Sequence, residues 1–139
     1  MSELARLLAG DLAPGVYAWS SQLTAADVRR EVEVAGWRFV HLDTMDVEDK
    51  TSFLDATAAA FGFPDWFGRN WDAFADGLGD VRSEQGTLVL WDGSGALATT
   101  NEEQLGVALE ILRERCESTL GGPFAVLMRE EPRHLAHDV

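Results

Sequence analysis

The sequence predicts one α/β domain built on a mostly parallel sheet. Three observations lead there. Short apolar runs of strand length alternate with stretches of helical periodicity along the chain, the pattern of successive β-α-β units. The run Thr87-Leu88-Val89-Leu90-Trp91 is apolar without alternation, which suits a strand covered on both faces. The 139 residues, 46% of them apolar, are enough for one sizeable core, and no internal repeat, low-complexity segment or interdomain linker divides them.

Element by element, a short helix is expected around Glu3–Leu8, ended near Gly10 and Pro14, and Gly15-Val16-Tyr17-Ala18-Trp19 reads as a first strand. Thr24 is placed to cap a helix whose stripe is Ala25, Val28, Val32 and Ala35, with Gly36 as its stop. Trp37 to Asp43 reads as a second strand. Asp49 to Phe61 reads as a long helix with Phe53, Leu54, Thr57, Ala58 and Phe61 inward, closed by Gly62 to Pro64. A short acidic helix follows at about 70–79, then the apolar strand and a turn at Asp92-Gly93-Ser94-Gly95. Asn101 is placed to cap a helix running to about Thr119, with Leu105, Ala108, Leu109, Leu112 and Cys116 on one side and Glu110, Glu114 and Glu117 on the other. Gly121-Gly122-Pro123 breaks it, and Phe124 to Met128 is the last strand. The polar tail from Arg129 is expected to be loose.

Eleven basic residues against 24 acidic ones give a net charge of −13. A polyanion repels nucleic acid and anionic membranes and attracts cationic surfaces, so neither direct nucleic-acid binding nor membrane attachment is expected. Cys116 is the only cysteine, which excludes an intramolecular disulfide, and it reads as a small buried hydrophobe. No stretch approaches the roughly 20 apolar residues of a membrane span, and no secretory signal is visible, so a cytoplasmic location is expected. No metal or cofactor is expected either. His134 and His137 lack a third ligand nearby, Gly93-Ser94-Gly95 lacks the lysine of a phosphate loop, and aspartates spread along a helix lack the geometry of a calcium loop.

The sharpest local feature is Phe63-Pro64-Asp65-Trp66-Phe67-Gly68-Arg69-Asn70-Trp71-Asp72-Ala73-Phe74-Ala75-Asp76-Gly77-Leu78-Gly79-Asp80. At about 100° per residue, Asp72, Asp76 and Asp80 share one arc of roughly 80°, while Trp71, Phe74, Ala75 and Leu78 lie on the other side. Like charges four residues apart cost a helix roughly 0.2–0.5 kcal/mol per pair. Gly77 and Gly79 cost up to about 1 kcal/mol each in a helix interior. A locally unfavourable segment of this kind is where function overrides folding consistency. Trp71, Phe74 and Leu78 read as core, Trp66 as either core or an exposed anchor, Gly68 as the supplier of an unusual backbone angle, and Asn70 as a cap or loop brace.

In that setting the motif resembles the barstar family of intracellular ribonuclease inhibitors: proline, acid, two aromatics, then Gly-x-Asn-x-Asp-Ala-aliphatic-x-Asp-x-Leu. The similarity spans about Trp37 to Met128. It implies a barstar-like parallel sheet of three core strands with helices packed against it, to which residues 1–36 add a strand, expected at an edge, and a helix. Residues 129–139 are then a tail. The resemblance implies that Asp72 and Asp76 face a nuclease and that Trp66 stands where a tyrosine contacts the enzyme. It also implies that Gly68 and Asn70 shape the loop and helix start, and, by position alone, that Glu114 meets the partner. Asp80 adds to the long-range field. Phe67 is either a second apolar anchor or core. Two departures stand out: the N-terminal segment is extra, and Ala75 replaces the tryptophan that precedes the second aspartate in barstar.

The expected function is therefore stoichiometric inhibition of a basic secreted ribonuclease by an acidic helix that mimics RNA phosphates, by a chain that is not an enzyme and is monomeric when free. The competing readings are an acidic interaction module, or an immunity protein for a basic toxin that is not a ribonuclease. Paired carboxylates doing acid–base catalysis are disfavoured, because the ridge is expected to be convex and exposed, whereas catalytic carboxylates sit in clefts.

Overall fold

A computed structural model describes residues 2–129. The elements run α1 (Glu3–Ala9), β1 (Val16–Trp19), α2 (Ala25–Val34), β2 (Arg38–Asp43), α3 (Lys50–Phe61), α4 (Trp71–Gly79), β3 (Thr87–Asp92), α5 (Gly95–Thr100), α6 (Glu102–Glu117) and β4 (Phe124–Arg129). The four strands form one sheet in the order β1-β4-β3-β2, and every neighbouring pair is parallel. The α/β class holds, and the added first strand sits at the edge beyond β4.

Most helix starts are written in local chemistry. The side chains of Ser2, Thr24, Asp49 and Asn70 accept from the backbone N–H three residues on, satisfying donors that a helix start leaves unpaired. Asn101 does not behave as expected. It occupies the cap position of α6, but its side chain makes no cap bond, and its carbonyl instead accepts from Gln104 and Leu105. The reason is α5, a one-turn-and-a-half helix that replaces the simple turn after Asp92 and delivers Asn101 directly from one helix into the next.

The sheet is covered on both sides. One face carries Val40, Leu42, Val89, Trp91, Phe124 and Val126, packed under Phe53, Leu54 and Phe61 of α3, Phe74 and Leu78 of α4, and Ala108, Leu112 and Cys116 of α6. The other carries Phe39, Leu88, Leu90, Ala125 and Leu127, packed under Leu4 and Leu7 of α1 and Val28 and Val32 of α2. The residues before Trp37 are therefore more than an extra strand: their helices close the second face.

Arg129 corrects the expected tail. It is the last residue of β4, and its guanidinium grips Asp92 through two bonds of 2.7 and 3.0 Å while also donating to the carbonyls of Ser21 and Leu23. His41 Nε2 lies 2.9 Å from Oδ2 of the same carboxylate, the oxygen it shares with Arg129 Nη2. Burial opposes ionisation of Asp92, but the hydrogen bonds and charges of His41 and Arg129 outweigh it and hold the carboxyl below its ordinary range. The remainder of the tail, with His134 and His137, lies outside the described residues. Among the described residues no helix is long and apolar enough to cross a membrane.

Candidate functional site

Helix α4 and the loop before it form one continuous projecting feature. Phe74 and Leu78 are buried, while Trp71 is half-buried against Phe53 and Phe74 and donates from its indole nitrogen to Gln104 at 3.0 Å. That anchoring turns Asp72 and Asp76 outward, and both are exposed. Asp80 is exposed too, as the C-cap just past the last helical residue. At 1.5 Å rise per residue, carboxylates four apart are spaced about 6 Å along the axis. None of the three aspartates has an ion pair among the described residues. The one cation of the loop, Arg69, is already taken: its Nε bonds Asp55 of α3 at 2.8 Å, and its Nη1 bonds the carbonyl of Phe67 at 3.0 Å. Among the described residues the acidic ridge is therefore uncompensated.

The loop is stiffened by an aromatic ladder. Phe124 on the sheet stacks with Phe61 and Phe61 with Phe63, Phe63 meets Phe67 at a tilt, and Phe67 stacks with Trp66, at centroid distances of 6.4, 5.5, 5.4 and 4.9 Å. Its outer end is open, for Trp66 is 81% exposed. Of the two readings left for Trp66, the geometry selects the exposed one; Phe67 is half-buried as an inner rung.

Asn70 caps α4 through a 2.8 Å bond from the Ala73 N–H. Gly68 corrects an expectation: its backbone angle is ordinary, and its role is space. A Cβ there would stand 2.7 Å from Asn70 Nδ2 and would dislodge the cap. Gly77 corrects another. Its place in the helix interior has a packing cause, since a Cβ would lie 2.6–2.9 Å from three ring atoms of Phe63. Glu114 is exposed on α6 and belongs to a different element from the rest.

Sequence reasoning missed Arg115. It is buried on the apolar side of α6 and donates to the carbonyls of Leu78 and Val81 at the end of α4. The available signal was a charged residue three positions after Leu112, on the stripe of a helix that is otherwise apolar there. A small crevice under the ridge is lined by Leu54, Thr57, Ala58, Phe63, Gly68, Arg69, Ala73 and Phe74, with none of the three aspartates on its wall. Among the described residues no group of three or more His, Cys, Asp or Glu is placed to hold a metal ion.

In fold the chain is similar to a solved structure titled Drosophila ORC bound to DNA, with TM-score 0.55 and 18% identity over 88% of this chain and 33% of that one. It is also similar to one titled Aeropyrum pernix ORC2 protein in ADPNP–ADP complexes, with TM-score 0.58 and 14% identity over 94% of this chain and 38% of that one. The chain spans 33% of one and 38% of the other, and at such identities the likeness is one of fold alone. No curated protein matches it. The family model described as Barstar (barnase inhibitor) matches residues 37–129, the sheet core together with the acidic helix and its loop, and the chain belongs to the barstar family.

Proposed function

We propose that this protein is a stoichiometric inhibitor of a basic secreted ribonuclease, acting in the cytoplasm, and that α4 with its preceding loop enters the enzyme's cationic cleft. The observation that carries this reading is the pairing of an outward carboxylate ridge, without an ion pair among the described residues, with an exposed tryptophan at the end of an aromatic ladder. A ribonuclease cleft is preorganised to meet anions, because it binds phosphate and stabilises a pentavalent transition state. Carboxylates on a stiff helix satisfy the same arginines, lysines or histidines with charge-assisted bonds and present no bond to cleave. Asp76 is assigned the central phosphate position and Asp72 a neighbouring cation. Asp80 contributes to the long-range field that speeds encounter, a mode of association for which barnase and barstar are the type case. Trp66 supplies apolar burial beside the charges, Phe67, Gly68 and Asn70 hold its loop, and Glu114 is assigned a flanking contact.

The test is titration of barnase-like and other small basic ribonucleases while RNA cleavage is followed. Inhibition at near-equimolar concentration is expected, and Asp76→Ala should weaken binding by more than about 2 kcal/mol, some 30-fold. No inhibition of any such enzyme, or an Asp76→Ala loss no larger than that of a remote surface Glu→Ala, refutes the assignment.

One observation favours a second reading. Ala75 is exposed beside Asp76, so the surface next to the central carboxylate is smaller than barstar's tryptophan would make it. A basic toxin that is not a ribonuclease is the alternative partner. Capture of such a protein by the native chain, and not by a chain with Asp72 and Asp76 neutralised, without any effect on ribonucleases, would establish it.

A further inference from the structure

The acidic helix is gripped at its C-terminal end by a buried cation. Arg115 Nε donates to the Leu78 carbonyl at 3.0 Å, Nη2 to the Val81 carbonyl at 2.9 Å, and Nη1 to the Gly122 carbonyl at 3.4 Å. Its guanidinium lies 4.7 Å over the ring of Phe124. Among the described residues it has no ion pair, and all three of its hydrogen bonds go to backbone carbonyls. Leu78 lies in the last turn of α4, where its carbonyl also accepts from the Val81 N–H at 3.1 Å, and Val81 lies just beyond it, at the end where the helix dipole is negative. Asp76 and Asp80 add their own negative charge to that same end. Left to itself, this is the end of the helix most prone to fray.

The surrounding chain is shaped to the grip. Gly121 and Gly122 have φ of +87° and +91°. A Cβ on Gly121 would stand 2.9 Å from both Arg115 Nη2 and the Val81 carbonyl, and one on Gly122 only 1.9 Å from the Ser83 carbonyl. The Ser83 N–H donates to the Gly121 carbonyl at 2.9 Å. The segment leaving α4 and the segment entering β4 are thus pressed together around the guanidinium, with no space for a side chain at either glycine.

We propose that Arg115 is the positioning residue of the acidic face: by fixing the last turn of α4 it sets the pose of Asp76 and Asp80, so that a partner meets the ridge already formed. The inference rests on the inhibitor reading of α4 given above. A residue that merely braces the core would affect the whole molecule alike. One that positions the ridge acts on α4 first and on the lifetime of the complex.

The experiment uses the full chain with Arg115→Met and Arg115→Lys, read by amide hydrogen exchange and by association and dissociation rates with a barnase-like ribonuclease. In Arg115→Met, amides of residues 77–81 should exchange at least about 10-fold faster while those of β3 and β4 change little. Dissociation should quicken about 10-fold with association within about twofold. In an Asp76→Ala background the effect of Arg115→Met on dissociation should shrink to less than about twofold, since there is no longer a central carboxylate to misplace. Arg115→Lys, which keeps the charge and loses the fork, should fall between, and carries the test if Arg115→Met does not fold. Exchange that is unchanged at 77–81, or raised equally in the strands, overturns the proposal, as does a dissociation effect that persists undiminished without Asp76. If the native chain binds no ribonuclease the inhibitor reading falls, and the exchange pattern alone still decides whether Arg115 sets the pose of α4.

Discussion

Two glycines in the same short helix should respond to alanine with opposite sign. Gly77 and Gly79 both stand in α4 at ordinary backbone angles, so alanine is conformationally admissible at each and brings up to about 1 kcal/mol of helix propensity. The difference lies in their surroundings. A Cβ at Gly79 meets nothing within 4 Å, whereas a Cβ at Gly77 lies 2.6, 2.8 and 2.9 Å from three atoms of the Phe63 ring. That ring is pinned, because it stacks on Phe61 at 5.5 Å and packs at a tilt against Phe67 at 5.4 Å, and each aromatic contact it gives up costs roughly 0.5–1.5 kcal/mol. Overpacking of about 1–3 kcal/mol then exceeds the propensity gain. Gly77→Ala should lose about 1–2 kcal/mol in urea unfolding, and Gly79→Ala should gain from a few tenths to about 1 kcal/mol. A Gly77→Ala variant as stable as Gly79→Ala would show that Phe63 does not pack against the helix as described, and the rigid loop would lose its support.

Three further outcomes follow from the same structure. Asp92 has a folded-state pKa below its unfolded value, so its contribution is complete above about pH 4 and is lost as pH falls through the folded pKa. Asp92→Asn should therefore cost on the order of 2–3 kcal/mol near neutrality, with the gap to the native chain narrowing below about pH 4; a gap independent of pH in urea titrations would contradict the ion pairs drawn for it. Burial pushes the Cys116 thiol up to about 12, so Ellman's reagent at pH 8 should leave the folded chain unlabelled for hours and label it fully in denaturant, and rapid labelling of the folded chain would contradict its burial. Removal of residues 1–36 uncovers Phe39, Leu88, Leu90, Ala125 and Leu127, so the shortened chain should bind hydrophobic dye and associate; a dye-silent monomer with cooperative unfolding would show that α1 and α2 are dispensable.

Much of this protein was legible before folding was considered, because the relevant chemistry is local. Period, cap and stop signals act within about four residues, so Thr24, Asp49 and Asn70 mark helix starts in sequence and in space alike. The outward turn of Asp72 and Asp76 follows equally from spacing, once Phe74 and Leu78 must face inward. What the chain alone could not disclose lies in pairings across long separations. Arg115 reaches a carbonyl 37 residues away, and Asp92 meets a histidine 51 residues away. The reason for Gly77 is the ring of Phe63, the last strand extends through Arg129 because Asp92 awaits it there, and the N-terminal helices find a second sheet face to cover. Periodicity specifies which side of an element is apolar. Which element comes to lie against that side, and whether a buried charge finds carbonyls there, depends on the order in which parallel strands assemble, and that order is a property of the packed whole.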